Sequence, residues 1–523
     1  MVNLGKPIGT IWNSLIINLN RRMLKKLNIE IHAKVQYNAK VLVFILTVII
    51  LNACSGKIPT FTELNMEVQI LPDYSGITLP PNIAPLNFTI KENGEKYLTK
   101  IYESGGETII IKSSTGHIRI PEGKWKKLLQ KCKGKDMFVE ILIKKDGGWL
   151  KFPTIINHVA VNPIDSYVVY RLIDPGFELW NKMGIYQRCL ENFAERPIMI
   201  NNMSDDNCMN CHSFCLNDSH TMMFHMRSKY SGTIIYREGK VTKVDTKTDQ
   251  TISPGVYPAW HPGGRYIAYS VNNIVQAFHS VRQIKVEVTD TLSDVIVLDT
   301  EKNNIFTSPS LTSKERFETF PTWSPDGKYL YYCSARALPL AQYSQIRYDL
   351  LRISFDLTTC RFGAVDTIVS ASTDGHSVSF PRISPDGKYL LFCMSDFGNF
   401  SIWHSESDLY LKNLDSGEIS KPEINSKESE SYHTWSSDGR WIVFSSRRID
   451  GLHTRLYFSY FDTDGRAHKP FLLPQKNPVF YSTFLKSYNV PELITTEVEL
   501  NPRKLMKAVK SEPVRATFKD ISP

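Results

Sequence analysis

Short apolar runs separated by turn-forming residues dominate the chain from about residue 60 onwards. The runs are rich in Val, Ile, Tyr and Phe, and the breaks between them carry Asp-Gly, Gly-Gly, Asn and Pro. This pattern predicts β-strands joined by tight turns. Helical periodicity is clear at Glu122–Lys131, where Trp125, Leu128 and Leu129 fall on one side. The pattern therefore predicts an all-β protein with one short helix in its first part.

Residues 54–150 hold the first group of predicted strands. Their alternation with turns is typical of a β-sandwich-like domain. No constellation of paired acids or metal ligands stands out in this group, so we predict a spacing or interaction role for it. The predicted strands are Met66–Ile70, Leu86–Ile90, Tyr97–Tyr102, Thr108–Lys112, His117–Ile120 and Met137–Ile143.

A repeated phrase organises the chain after residue 155. Its clearest copy begins at Trp323 and reads Trp-Ser-Pro-Asp-Gly; the Asp-Gly pair makes a tight turn, and the apolar run after it returns as a strand. A four-stranded blade needs about 40–45 residues. We therefore predict a β-propeller of about six blades over residues 155–490, followed by a tail over residues 491–523. The six turns lie at residues 166, 219, 264, 327, 387 and 439.

This phrase resembles the WD40-like repeats of TolB-type β-propellers. The resemblance implies that the recurring tryptophans Trp260, Trp323 and Trp435 pack between blades, and that the Asp residues of the turns are structural. Equivalent slots of a propeller point the same way, so His225 is expected at the same depth as its counterparts in other blades. Those counterparts are Ser270, Cys333, Cys393 and Ser445.

A Cys-x-x-Cys-His sequence, from Cys208 to His212, lies between the first two turns. Two thiols three positions apart can add across the two vinyl groups of a haem, and the adjacent imidazole then binds the iron. The sequence predicts one covalent haem c on Cys208 and Cys211, with His212 as the proximal iron ligand. We expect His225 as the distal ligand, because the nearby methionines fit the apolar strand of the repeat instead.

Three other interpretations of the cysteine pair stay open. It could be a redox dithiol, a structural disulfide, or half of a zinc site completed by Cys215, His220 and His225. Against the dithiol, no thioredoxin-like βαβ pattern surrounds the pair. Against zinc, no second pair of ligands stands at finger spacing, although His220 and His225 are close in sequence.

The start of the chain predicts export. A basic segment precedes the apolar run Val41–Leu51, which is too short for a comfortable membrane span and is followed by Asn52-Ala53-Cys54. This ending resembles the lipobox of bacterial lipoproteins, which implies a signal peptide over residues 1–53, with Met1 or Met23 as its start. The resemblance also implies that Cys54 is lipidated and anchors the protein to a membrane of the cell envelope, facing the periplasm or the surface. An uncleaved signal anchor is the alternative.

Charge argues against nucleic acid as a partner. The chain carries a formal net charge of +9, but residues 1–53 alone hold seven basic residues and one acidic residue. The rest of the chain is therefore close to neutral and lacks a clustered basic stripe. An oxidising compartment also permits disulfides among the remaining cysteines.

Two functional hypotheses follow. The first is a lipid-anchored c-type cytochrome that transfers electrons to a redox partner protein docked on the propeller. The second is a non-enzymatic propeller scaffold that binds protein or glycan through its loops, with the cysteine pair structural or zinc-binding. A hydrolase of the prolyl-peptidase type is excluded, because no Gly-x-Ser-x-Gly elbow occurs and the repeats leave no room for an α/β catalytic domain. The whole arrangement resembles bacterial lipoproteins described as TolB-like or cytochrome c-like propeller proteins.

Overall fold

A computed structural model describes residues 59–175, 183–280 and 285–519, together with Met23, Lys25 and Lys40. The predicted signal peptide, apart from those three positions, and the predicted lipid site Cys54 lie outside the described residues. Within the described residues, no helix combines the length and apolar character needed to cross a membrane.

The front domain pairs two sheets around an apolar core. A seven-stranded sheet runs in the order β1-β9-β8-β10-β3, with β5 joining β8 and β6 joining β5; a three-stranded sheet runs β2-β4-β7. Helix α1 (Glu122–Cys132) buries Trp125, Leu128 and Leu129 in this core, so the predicted helix and its inner face are confirmed. The strands are β1 Thr62–Glu63, β2 Ile70–Leu71, β3 Thr78–Leu79, β4 Phe88–Ile90, β5 Lys96–Tyr102, β6 Thr108–Ser113, β7 His117–Ile118, β8 Lys135–Lys145, β9 Gly148–Lys151 and β10 Ile155–Val159.

The next strands form six antiparallel sheets, each built on one of the predicted turns. Blade 1 contains β11 Tyr167–Ile173, β12 Gly184–Cys189 and β13 Glu195–Ile200, and blade 2 contains β14 Met209–Cys215, β15 Asp218–Met226, β16 Gly232–Arg237 and β17 Lys240–Asp245. Blade 3 contains β18 Val256–Trp260, β19 Tyr266–Phe278, β20 Val286–Asp299 and β21 Asn304–Phe306, and blade 4 contains β22 Arg316–Trp323, β23 Tyr329–Arg336, β24 Tyr348–Asp356 and β25 Arg361–Val369. Blade 5 contains β26 Ser377–Ile383, β27 Tyr389–Ser395, β28 Asp408–Asn413 and β29 Ile419–Ser420, and blade 6 contains β30 Glu430–Trp435, β31 Trp441–Ser446, β32 Arg455–Tyr460 and β33 Phe471–Leu472.

The C-terminal part of the chain closes the ring. Strand β34 (Ser487–Ile494) pairs antiparallel with β11 and supplies the inner strand that blade 1 lacks. The six inner strands β34, β14, β18, β22, β26 and β30 contact one another in a cycle. The protein is thus an all-β chain with a β-sandwich-like front domain and a six-bladed propeller.

Two predicted limits of the propeller, residues 155 and 490, differ from those in the structure. Ile155–Val159 pairs with β8 and β3 of the front domain, so the first propeller strand begins at Tyr167 and not at residue 155. Residues after 490 are not only a tail, since β34 completes blade 1. Beyond it, helix α2 (Pro502–Lys510) packs on β17, and β35 (Val514–Arg515) and β36 (Thr517–Phe518) add parallel fifth strands to blades 2 and 3.

The repeated phrase has the structural role that the sequence predicts. In the turn after Trp323, the Ser324 hydroxyl donates to the Asp326 carboxylate at 2.6 Å, and Gly327 takes the left-handed backbone (φ 70°) that favours glycine. The predicted packing of the tryptophans between blades is confirmed as well. The indole N–H groups of Trp260 and Trp435 donate to backbone carbonyls of the preceding blade, and Trp323 contacts a histidine ring of the preceding blade.

Candidate functional site

Every inner strand carries one β-bulge residue at the same repeat position. These residues have φ between 49° and 53°, a left-handed conformation that is uncommon outside glycine. The pairing with the second strand slips at each of them. All six side chains line the central cavity of the propeller. They are Val490, Cys211, Tyr257, Phe320, Phe380 and Tyr432, in order of blades 1 to 6.

Four of these bulge residues form an aromatic cluster inside the cavity. The ring centroids of Tyr257 and Phe320 are 4.4 Å apart, those of Phe320 and Phe380 are 4.1 Å apart, and those of Phe380 and Tyr432 are 4.9 Å apart. The cavity beside this cluster has a volume of about 320 Å³. Cys211 occupies the bulge position between Val490 and Tyr257, so its thiol shares the cavity with the aromatic rings.

A long hairpin of blade 3 contributes to the cavity wall. Strands β19 and β20 continue beyond the other strands of their sheet, and their extension places Asn272, Ile274 and Val288 on the cavity lining. Across the ring, blade 5 adds Phe400 and Trp403. The hairpin therefore reaches from blade 3 to blade 5 over the end of the tunnel at which the inner strands begin.

Buried polar contacts hold this hairpin to blades 4 and 5. Glu287 of β20 lies 2.7 Å from His404, and both side chains are almost fully buried. Burial opposes protonation of His404, but its hydrogen bonds to Glu287 and Glu406 outweigh burial and raise its pKa to about 9. Asp290 accepts hydrogen bonds from Asn399 at 2.5 Å and Tyr348 at 3.1 Å, while burial raises its pKa to about 6. Charged and hydrogen-bonded partners thus fix the hairpin in place at neutral pH.

Positive charge exceeds negative charge on the described part of the cavity wall. Its arginines are Arg171, Arg227, Arg382 and Arg447, and its carboxylates are Asp174 and Glu492. Burial raises the pKa of Glu492 to about 7, so this group is partly protonated at neutral pH. The field inside the cavity therefore favours an anion.

Cys208 and Cys211 both lie on the cavity wall. The motif is not an inserted loop, since β14 begins at Met209 and is the inner strand of blade 2. Burial raises the pKa of the Cys208 thiol, and the charges of Arg171 and Arg227 oppose this shift. All eight cysteines in the described part of the chain are free, so the pair forms no disulfide here.

His212 occupies a repeat slot that it shares with other blades. The residue after each bulge is proline in four blades, and it is His433 in blade 6. The Nε2 of His433 lies 2.9 Å from the carbonyl oxygen of Leu391 in the preceding blade, and burial lowers the pKa of His433 to about 3. Burial also lowers the pKa of His212 to about 3, while the nearby backbone of Val490 and Val169 in the preceding blade opposes this shift.

His212 and His433 thus occupy equivalent positions in blades 2 and 6, because Val169 in blade 1 is the counterpart of Leu391 in blade 5. Blade 6 has no cysteine pair beside its histidine. One difference remains: neither ring nitrogen of His212 has a well-formed hydrogen bond. The slot favours a residue that packs against the preceding blade, whether or not cysteines accompany it.

His225 lies on the other face of blade 2. Its ring centroid is 5.6 Å from that of Tyr269 in blade 3, and its Nδ1 is 2.8 Å from the Thr233 hydroxyl. The structure therefore does not bring His225 to His212 as an axial partner, because the two rings face different neighbouring blades. The predicted slot of His225 is confirmed by the strand register. Each member of this slot pairs with the residue just before a bulge: Asn210 with His225, Val256 with Ser270, Thr319 with Cys333, Ser379 with Cys393 and Ser431 with Ser445.

No cluster of three or more His, Cys, Asp or Glu side chains suited to a metal ion occurs among residues 59–175, 183–280 and 285–519. The predicted zinc ligands Cys215 and His220 are also separated from the cavity. Cys215 donates to the carbonyl of His261 in blade 3, and His220 is paired with Asp218 on the surface.

Sequence reasoning missed Arg447 and the hairpin of the site. Arg447 follows β31 outside any repeat phrase, and nothing in its neighbours signals that it is buried. The equivalence of His212 and His433, in contrast, can be recognised in the sequence. The segments Cys211-His212-Ser213-Phe214 and Tyr432-His433-Thr434-Trp435 end at equivalent turns.

Strand order and ring closure define the chain as a six-bladed β-propeller with a β-sandwich-like front domain. No family model and no curated protein matches the chain. Among solved structures it is similar to a chain of the nidogen/laminin complex, with 9% identity over 63% of this chain and 100% of that one, and a TM-score of 0.36. It is also similar to the Dos1 propeller, with 13% identity over 52% of this chain and 62% of that one, and a TM-score of 0.33.

A third similar structure is prolyl oligopeptidase B from Galerina marginata, with 10% identity over 70% of this chain and a TM-score of 0.33. The chain spans 50% of the length of that oligopeptidase. At these identities and TM-scores the similarities carry no argument about the cavity or any activity, and the fold rests on the strand order and ring closure described above.

Proposed function

We propose that this protein is a non-enzymatic binding protein of the cell envelope whose propeller cavity holds a small ligand. The observation that supports this most directly is the cavity of about 320 Å³ on the propeller axis, which has aromatic side chains and a few polar groups on its wall. Ligand pockets in proteins commonly measure about 300–1,000 Å³ and have a lining of this kind. The hairpin of blade 3 shields the ligand from bulk water.

Blocking the cavity through Cys211 tests this proposal. The uncharged fluorescent probe phenylnaphthylamine is expected to bind the wild-type protein, and prior reaction with a bulky maleimide is expected to abolish binding, because Cys211 is partly exposed and lines the cavity. Probe fluorescence is measured with a detergent blank. Cys211→Ser is expected to protect binding from the maleimide.

Cys360 gives the matched control, since its thiol is also partly exposed but contacts Tyr266 between blades 3 and 4. Cys360→Ser should therefore leave the maleimide as effective as it is in the wild type. A wild-type protein that binds no probe, or a Cys211→Ser variant that is blocked as strongly as the parent, would contradict the cavity proposal.

A lipid anchor at Cys54 is the proposed means of attachment to the envelope. It is supported by the short apolar run and the resemblance of Leu51-Asn52-Ala53-Cys54 to a lipobox. Cys54→Ser is expected to move the protein from the membrane fraction to the soluble fraction, as measured by fractionation and blotting. If the variant stays in the membrane fraction as firmly as the parent, the apolar segment itself is the anchor.

Covalent haem, with electron transfer to a redox partner protein, is the second candidate function. It is favoured by one observation: Cys208, Cys211 and His212 all lie on the wall of one cavity. The described residues do not fit the group well, however. Because side chains alternate along a strand, Cys211 faces the tunnel while His212 packs against blade 1, where it is 2% exposed. Both ring nitrogens of His212 lack a hydrogen-bond partner, but the ring is buried against blade 1, so binding an iron in the tunnel would require the ring to move.

A further inference from the structure

We infer that the ligand of the cavity is an acidic molecule, carrying a carboxylate, sulfonate or phosphate group on an apolar or aromatic body, and that Arg447 binds the acidic group. This inference rests on the proposed binding function and names the chemistry of its ligand. It is carried by the position, burial and unfilled hydrogen-bonding capacity of one arginine.

Arg447 is a buried cation on the cavity wall. Its side chain belongs to a residue that is 2% exposed, and its guanidinium lies 3.6 Å from the ring centroid of Trp403. Burial lowers the pKa of Arg447 to about 10, so the group stays charged at neutral pH. Stacking on an aromatic face stabilises such a cation in a desolvated site but leaves the edge of the guanidinium free to donate.

Two of the three guanidinium nitrogens of Arg447 have no hydrogen-bond partner within the described structure. The Nη1 atom donates to the carbonyl of Ile402 at 3.4 Å, whereas Nε and Nη2 are buried without a hydrogen-bond partner. The carboxylates of Glu428 and Asp450 act on Arg447 through their charge only. A buried donor that lacks a partner costs free energy, and a buried charged one costs more. An oxyanion in the cavity would take up these donors.

The other arginines of the wall are engaged elsewhere. Arg227 donates two hydrogen bonds to the side-chain oxygen of Asn210, at 2.7 and 3.0 Å. Arg171 donates to the carbonyl of Met209 at 3.3 Å and leaves only its Nε without a partner. Arg382 donates to the carbonyl of Pro381 at 3.0 Å and lies in the field of Glu492. These three contribute long-range attraction, while Arg447 offers two adjacent free donors, the arrangement that binds a carboxylate or phosphate in a fork.

The aromatic cluster supplies the place for the apolar body. Tyr257, Phe320, Phe380 and Tyr432 present ring surfaces to the same cavity that Arg447 lines. A ligand with an acidic head and an aromatic or aliphatic body would satisfy both parts of the wall at once. A neutral ligand would leave the buried guanidinium without a partner.

A matched pair of probes tests the inference. Anilinonaphthalene sulfonate carries an anion on nearly the same aromatic body as uncharged phenylnaphthylamine. Arg447→Met is expected to weaken binding of the sulfonate probe by about 10- to 100-fold, the range of a charge-assisted hydrogen bond, and to leave the uncharged probe within about twofold. Arg447→Lys keeps the charge but not the fork, so its affinity for the sulfonate should fall between the two.

Arg455→Met is the control for loss of a buried, stacked arginine. Arg455 is 1% exposed and stacks on Phe484 and Tyr481, but it donates to the backbone carbonyls of Phe484 and Lys486 and does not line the cavity. This variant should bind both probes as the parent does. Binding of the uncharged probe shows in each variant that the cavity has formed.

The outcomes distinguish a failure of the anion assignment from a failure of the cavity proposal on which it rests. If the uncharged probe binds and Arg447→Met leaves the sulfonate affinity unchanged, or weakens both probes equally, the cavity is a binding site and the anion assignment is wrong. If neither probe binds the wild-type protein, the cavity proposal fails and the anion assignment fails with it. Selective loss of the sulfonate probe supports both.

Discussion

A chain that stops before Ser487 is expected not to form the propeller. Strand β34 is the inner strand of blade 1 and pairs along the whole of β11, from Tyr167 to Ile173. Its removal takes away the buried side chains of Tyr488, Leu493 and Ile494 and leaves β11 as an unpaired edge. Large buried side chains contribute about 2–5 kcal/mol each, against a typical total stability of about 5–15 kcal/mol. Cooperative thermal unfolding, measured by circular dichroism, should be lost.

A chain that stops after Ser511 is the control for this truncation. It loses the fifth strands β35 and β36 but keeps β34 and helix α2, so the ring of six inner strands stays closed. We expect it to unfold cooperatively at a somewhat lower temperature. A chain ending before Ser487 that melts like this control would show that the ring does not depend on β34. Limited proteolysis near Asn303 or Asn425 adds a second readout, because a closed ring should yield no separately folded fragments.

The sequence predicts the blades well because each blade contains a recognisable local motif. The Asp-Gly and Gly-Gly turns force a reversal, and the apolar run after each turn has only one partner within reach, the strand before the turn. Even the degenerate turns at Asp165 and Asp218 precede the second strands of blades 1 and 2. The number of turns therefore gives the number of blades.

The closing strand could not be predicted in the same way. Ser487–Ile494 precedes no turn phrase, and its partner strand β11 begins at Tyr167, far away in sequence. A local sequence pattern contains no information about a pairing between strands so far apart in the chain. The sequence pattern consequently predicts that the propeller ends at residue 490, which lies in the middle of the strand that closes it.

The candidate site could be predicted only in part, for a related reason. The sequence assigns Cys208 and Cys211 to a covalent haem, which stays a prediction, and the structure places both residues on the wall of the central cavity. The sequence assigned His212 and His225 to one iron because they are close along the chain, but the two faces of a blade belong to different interfaces. Arg447 was missed because burial of an arginine depends on contacts with Trp403, which lies in another blade.

The equivalence of His212 and His433 leads to the second expected result. We expect His212→Ala and His433→Ala to lower the melting temperature by similar amounts, because each substitution removes a buried ring that packs on the preceding blade. Loss of such a ring costs about 1–3 kcal/mol. Thermal unfolding followed by circular dichroism makes the comparison. A haem ligand would behave differently, since its loss would add the loss of iron coordination.

The wild-type protein and the Cys211→Ser variant test the haem hypothesis. They must be produced in a host that has covalent haem-attachment machinery, because a true site would stay empty without it. From the packing of His212 against blade 1, we expect the denatured wild-type protein to show no c-type absorbance and no added haem mass, and Cys211→Ser to leave the spectrum unchanged. A c-type absorbance that survives denaturation and disappears in Cys211→Ser would establish the cytochrome. In that case His212 must leave its slot on haem attachment, and only His433 would keep the packing role that both histidines have in this structure.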